Sequence, residues 1–186
     1  PIAGALDIGG VDLTDAVATQ AALDQVVAAH GGIDVLVNVA GGFTWETLEG
    51  GSIDSWARMQ AMNLTSNATI TKLALPHLIA AHEARIVNIG AGAAIKAGTG
   101  MGAYAASKSG VHRLTEALAE ELSGQGVTVN AVLPSIIDTP TNRADMPDAD
   151  VSQWVKPEAI AEVIRFLASP AAGAITGALI PVTRGA

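Results

Sequence analysis

Cysteine is missing altogether, aromatic residues make up only 3% of the chain, and charged residues only 15%. Without a thiol there is no disulfide framework, no cysteine nucleophile and no cysteine-based zinc site. No run of about 20 apolar residues free of charge occurs, which excludes an ordinary membrane-spanning helix. The first residues do not resemble a signal peptide, so the expected location is cytoplasmic. The four histidines (His30, His77, His82 and His112) are scattered over predicted helices without acidic partners at ligand spacing. They are read as solvent-facing or packing residues, and no metal site is expected. A formal net charge of -8, with no basic patch and no interleaved aromatics, argues against nucleic acid or an anionic membrane as partner. What remains is a small-molecule substrate. Apolar residues reach 49% of 186 residues, enough for one domain with a sizeable core.

The apolar pattern alternates between two periods. Ala3 to Val11 is apolar enough for a short strand, and Thr14 or Asp15 can cap a helix over Ala16 to His30, stopped by Gly31-Gly32. Ile33 to Val37 is a continuous apolar run of the kind buried on both faces of a parallel sheet. A long helix from about Ile53 to Ala81 is expected to bend near its middle and to break near Pro76. Ile86 to Ile89 and Val127 to Leu133 are further buried strands, flanking a helix over roughly Ala103 to Ser123. Ser135 to Val155 reads as irregular, Pro157 to Ala168 as a helix, and Leu179 to Val182 as a last strand. Strands alternating with helices predict an α/β fold, a single doubly wound parallel sheet of Rossmann-like form with right-handed crossovers. In such a sheet ligands bind beyond the carboxyl ends of the strands. Here those ends are Asn38 to Gly42, Gly90 to Gly102 and Pro134 to Pro140, all rich in small residues that let a flat ligand approach the backbone.

Tyr104 and Lys108 stand four apart on the predicted helix that leaves the second of these loops. Residues at that spacing share a helix face one turn apart. An ammonium near a phenol favours the phenolate, so Lys108 is expected to draw the Tyr104 pKa down from about 10 and make it a usable acid or base. The plain alternative is a half-buried ring beside a solvated amine.

Four motifs in order decide between these readings. Asn38-Val39-Ala40-Gly41, Asn63 within Met62-Asn63-Leu64, Tyr104-Ala105-Ala106-Ser107-Lys108 and Pro134-Ser135-Ile136-Ile137-Asp138-Thr139 together resemble the short-chain dehydrogenase/reductase family over essentially the whole chain. Val39 and Ser135 depart from that family's Asn and Gly. The resemblance implies that Tyr104 exchanges a proton with the substrate. By the same resemblance Lys108 supports it and holds the nicotinamide ribose of NAD or NADP, and Asn63 holds a water in a proton relay. It also implies cofactor contacts at Asp12 near the adenine, at Ala40 and Gly41 under the adenosine ribose, at Thr139 near the carboxamide or pyrophosphate, and at Asn38 and Pro134. Hydride chemistry would belong to the cofactor.

Two departures from the family pattern shape the expectation. Ile2 to Asp15 looks like the family's third strand, so the first βαβα segment, with its glycine-rich phosphate turn, is not in the sequence. The expectation is an N-terminally incomplete domain whose sheet lacks a central strand. The family's catalytic serine usually lies thirteen residues before the tyrosine, and Ala91 stands there. Losing one such donor typically costs about 10²- to 10³-fold in rate. Thr99 is the one nearby hydroxyl that could substitute.

The chain resembles most closely the dihydropteridine reductase branch, which lacks this serine. The resemblance is carried by Gly90 to Ala94, Gly98 to Gly102, the pair Gly41-Gly42 and the unusual run Asp138 to Trp154. It implies reduction of an electron-poor substrate such as quinonoid dihydropteridine, with Trp45 and Trp154 as candidates to line a flat ring pocket. A generic carbonyl or alcohol oxidoreductase and a non-catalytic nucleotide-binding protein are the alternatives. Alanine-rich outer faces on the Asn63 and Tyr104 helices, together with the resemblance, imply a homodimer or homotetramer.

Overall fold

The computed structural model describes residues 4–184. Four parallel strands, β1 (Val35–Asn38), β2 (Ala84–Ile89), β3 (Val127–Pro134) and β4 (Leu179–Val182), lie side by side in chain order. Asn38 pairs with Asn88, and Asn88 in turn with Ala131, so the carboxyl ends of the strands reach one rim together. β3 is buried along its whole length, its polar Thr128 and Asn130 included.

Alternation along the strands divides the core in two. On one face Ile86 and Val129 pack with α1 (Ala16–His30), α3 (Ser66–Ala80) and α4 (Gly102–Glu121) through Leu23, Leu78 and Leu118. On the other, Val87 and Val132 pack with α6 (Pro157–Leu167) through Ile160 and Leu167. The sheet is therefore doubly wound. This arrangement corrects the expected handedness. β1-α3-β2 and β2-α4-β3 step the sheet one way with their helices on one face, whereas β3-α6-β4 steps the same way with its helix on the opposite face. The last crossover therefore has the opposite hand to the other two, and the right-handed rule cannot hold for all three. The long connection from Ser135 to Ala178 has the length to pass around the rim, which a short βαβ link does not.

Other corrections are local. Ala3 lies outside the described residues, and Gly4 to Val11 forms no strand. Apolar composition does not make a strand without a neighbour to bond, and among the described residues no strand lies beside this segment. β1 is consequently an edge, with Val35 and Val39 exposed. Pro76 sits inside α3 without breaking it, because Ala74 and Leu78 on either side are fully buried and hold the helix against the core. The discontinuity comes earlier, as α2 (Asp54–Gln60) passes through a π-helical turn, Ala61–Thr65, into α3. The irregular segment contains a short helix, α5 (Pro140–Asp145), with Pro140 in its first turn and the Thr139 hydroxyl accepting from Asn142 N–H at 3.2 Å. The Asp15 carboxylate caps α1 by accepting from Val17 and Ala18 N–H at 2.8 and 3.2 Å.

Candidate active site

Glycine spacing and one widened helical turn assemble the site. Asn63 lies in the π turn, the kind of helix irregularity often found at functional positions, and is 1% exposed. Its Oδ1 accepts from Gly42 N–H at 2.9 Å, and its Nδ2 donates to the Gly42 carbonyl at 3.1 Å and to Ser107 Oγ at 3.0 Å. The side chain thus ties the end of β1 to α4. Ser107 Oγ itself donates to the Tyr104 carbonyl at 2.7 Å, so the first turn of α4 joins the same set of bonds.

Between them runs Gly41, which a side chain could not replace. A Cβ there would lie 2.6 Å from Asn63 Oδ1 and 3.2 Å from Lys108 Nζ. Lys108 is 5% exposed, and its Nζ donates to the Ile89 carbonyl at 2.8 Å, at the end of β2. The third rim follows, because Gly92 lies against the carbonyl of Pro134 at the end of β3. The three strand ends, Asn63, Tyr104 and Lys108 therefore meet at one place.

The electrostatics differ from expectation at the phenol. Burial pushes the Tyr104 phenol above its ordinary value, the opposite of the lowering expected from Lys108. Burial lowers the Lys108 amine to about 8. Near neutral pH the phenol is therefore protonated and the amine, bonded to the Ile89 carbonyl, is mostly charged. Phe43 stands edge-on to the Tyr104 ring, with centroids 4.9 Å apart.

Other expected site residues are placed less directly. The Asn38 side chain is buried and donates to Asn88 Oδ1 at 2.9 Å and Thr71 Oγ1 at 3.0 Å, so only its backbone is free for a ligand. Ala40 and Gly41 are exposed at the end of β1. The Asp12 carboxylate accepts from the Thr14 hydroxyl and N–H, which hold its pKa down, and among the described residues no bond joins it to the Tyr104 group. Thr139 caps α5, beside the ion pair of Asp138 with Arg143 at 2.6 Å. Trp154 is 5% exposed and belongs to the core, whereas Trp45 is 58% exposed and packs against Gly100.

Ala91 is buried, and the hydroxyls on the first turns of α4 are already bonded: Ser107 to Tyr104 and Asn63, and Ser109 to the Ala94 carbonyl at 3.0 Å. Thr99 is exposed in the loop beside Gly100. His112, expected as a solvent-facing or packing residue, is buried, and sequence reasoning missed its bond: Nε2 accepts from Ala91 N–H at 3.3 Å. Its position four residues beyond Lys108 was the available signal.

The short chain dehydrogenase family model matches residues 4–150. The chain belongs to the short-chain dehydrogenase family. It is 32% identical to the 3-oxoacyl-[acyl-carrier-protein] reductase of Thermotoga maritima over 98% of its own length and 77% of that protein's. It is 34% identical to the meso-2,3-butanediol dehydrogenase of Serratia marcescens, over 95% of the chain and 73% of the relative. Among solved structures, carveol dehydrogenase of Mycobacterium avium in complex with NAD superimposes with a TM-score of 0.85 at 31% identity, covering 94% of this chain and 72% of that one. ElxO with NADP bound gives 0.86 at 26% identity, covering 92% and 74%. The chain is an oxidoreductase of this family, and its α/β fold with a parallel sheet is that of these structures.

Proposed function

We propose that the protein is an NADH- or NADPH-dependent reductase that delivers hydride to an electron-poor ring such as quinonoid dihydropteridine, with Tyr104 as the only proton donor. One observation carries this reading: at the rim where Tyr104 and Lys108 meet, Ala91 is a buried methyl and the hydroxyls of Ser107 and Ser109 are already bonded elsewhere. An ordinary ketone builds an alkoxide that gains from a second donor. A conjugated imine in an electron-poor ring needs one proton and regains conjugation as it takes hydride, so a single phenol suffices.

The residues present suit a nicotinamide nucleotide, which would supply the hydride. Gly41 leaves backbone room beside Lys108, and the buried ammonium offers donors to hydroxyl groups. Lys108 keeps positive charge near the phenol, Asn63 fixes the Gly42 peptide, and Phe43 and exposed Trp45 offer aromatic edges to a flat ring. Asp12, Asn38, Ala40, Gly41, Pro134 and Thr139 are proposed cofactor contacts, Asn38 through its backbone. The run Asp138 to Trp154, most of it exposed, is proposed to close over the ring. The assembly is proposed to be a homodimer or homotetramer, and light scattering tests it.

A second reading, a carbonyl or alcohol oxidoreductase, is favoured by the names of the relatives at 32–34% identity. The deciding experiment follows NADH and NADPH absorbance with quinonoid dihydropterin and with a panel of ketones, using the longest form of the chain its gene encodes. Turnover of the pterin supports the proposal. Turnover of ketones alone overturns it, and cofactor binding with no turnover points to a non-catalytic nucleotide-binding protein.

A further inference from the structure

α4 carries a third polar group on the face of Tyr104 and Lys108. His112 follows Lys108 by one more turn, and it is 2% exposed. Its ring lies against the β2 end so closely that a Cβ on Gly90 would sit 2.5 Å from Nε2. Nε2 accepts from Ala91 N–H, which an imidazole nitrogen can do only while unprotonated, so the proton resides on Nδ1. One turn earlier, Lys108 Nζ donates to the Ile89 carbonyl. Gly90 N–H is bonded to the Val132 carbonyl at 2.9 Å. Successive turns of one helix therefore grip the peptide groups on either side of Gly90.

We propose that His112 is a positioning residue: it holds the Ile89–Ala91 strand end so that the Ile89 carbonyl keeps the Lys108 ammonium in its working place beside Tyr104. This rests on the reading of Tyr104 and Lys108 as the proton-donating pair. His112 acts through the strand end and touches neither substrate nor cofactor. Protonation would turn Nε2 into a donor facing the Ala91 N–H, two donors in opposition, and would release the grip. Burial, followed by Arg113, holds the imidazole below its ordinary pKa, with Lys108 adding to this and Glu116 opposing it. All three act from α4; the strand ends packed here bring Gly90, Ala91 and Leu133, none of which titrates. The grip is therefore present at neutral pH and lost as pH falls through the lowered imidazole value.

The test compares wild type with His112→Gln, whose amide oxygen can accept from Ala91 but does not titrate, and with His112→Leu, which offers no acceptor. Backbone NMR across the imidazole range should show the Ala91 amide moving with the His112 ring in wild type and standing still in His112→Gln. The acid limb of kcat should vanish in His112→Gln while KM changes less than about twofold, and His112→Leu should lose about tenfold in kcat, the loss expected for one hydrogen bond. An Ala91 amide indifferent to the imidazole, or an acid limb unchanged in His112→Gln, would overturn the proposal. Should His112→Leu not fold, the Gln comparison decides alone. Should wild type turn over no substrate, the proposed reaction fails, while the Ala91 amide still decides whether His112 governs the strand end.

Discussion

The ends of β1 and β2 and the segment that follows β3 line the same rim but are held in opposite ways. Around Gly41, Gly42 and Ile89 to Ala91, three buried side chains, Asn63, Lys108 and His112, add hydrogen bonds to the backbone bond of Gly90 with Val132. From Asp138 to Trp154 the ties lie mostly at the ends: the Asp138 N–H donates to the Val155 carbonyl at 2.8 Å and Asn142 Nδ2 to the Ile137 carbonyl at 2.7 Å, with the exposed Asp138–Arg143 ion pair, a one-hydroxyl cap on α5 and the buried Trp154. Buried bonds are costly to break because the abandoned partner is left dry, while surface ion pairs contribute little. The first region can hold a donor in fixed geometry, and the second can move without disturbing it. In the proposed function, proton transfer is assigned to the first and closure over the ring to the second.

Substitutions that strike the rigid region should separate chemistry from binding. Tyr104→Phe should lower kcat by about 10² to 10⁴, the range for a positioned proton donor, with cofactor affinity by fluorescence titration unchanged within about twofold. Lys108→Ala should damage both rate and cofactor affinity. Asn63→Ala strands both backbone groups of Gly42 and the Ser107 hydroxyl, and should cost about 2 to 3 kcal/mol in denaturant unfolding. Gly41→Ala pushes a methyl into Asn63 Oδ1, so a loss of about 1 to 3 kcal/mol is expected together with weaker cofactor binding.

The pH dependence sharpens the contrast further. Lys108 carries its charge below about pH 8 and loses it above, whereas the phenol, raised by burial, stays protonated well past that point. The rate should therefore fall as pH rises through about 8, with an alkaline limb that shifts upward in Lys108→Arg. Because the folded-state amine is lowered, folding stability should rise, not fall, between about pH 8 and the unfolded value of 10.5, as the folded protein releases its proton first. In the segment after β3, Arg143→Ala should leave Tm within error and alter KM more than kcat, the smallest effect of the set.

Regular elements were legible where one signal governs them. Val35 to Asn38, Val127 to Pro134 and Leu179 to Val182 are largely apolar runs bounded by turns, and α6 carries a proline at its start. What escaped the sequence depends on partners elsewhere in the chain. Gly4 to Val11 has strand composition but no neighbour to pair with, and Pro76 survives in a helix because Ala74 and Leu78 are buried. The hand of the last crossover follows from which face α6 covers, which Ile160 and Leu167 do not reveal alone. At the site, Tyr104, Lys108 and Asn63 were found by type and spacing. The upward shift of the phenol and the burial of His112 follow from packing, which spacing does not report.

The central claim is that one phenol, with a methyl where a second donor would stand, limits this site to electron-poor substrates. It is tested most directly by the ratio of kcat/KM for quinonoid dihydropterin to kcat/KM for a simple ketone, measured in wild type and in Ala91→Ser. The account predicts a large ratio in wild type that falls in Ala91→Ser by about tenfold or more, because the restored hydroxyl helps the ketone alone. Equal or better use of the ketone by wild type, with no response to Ala91→Ser, would contradict it.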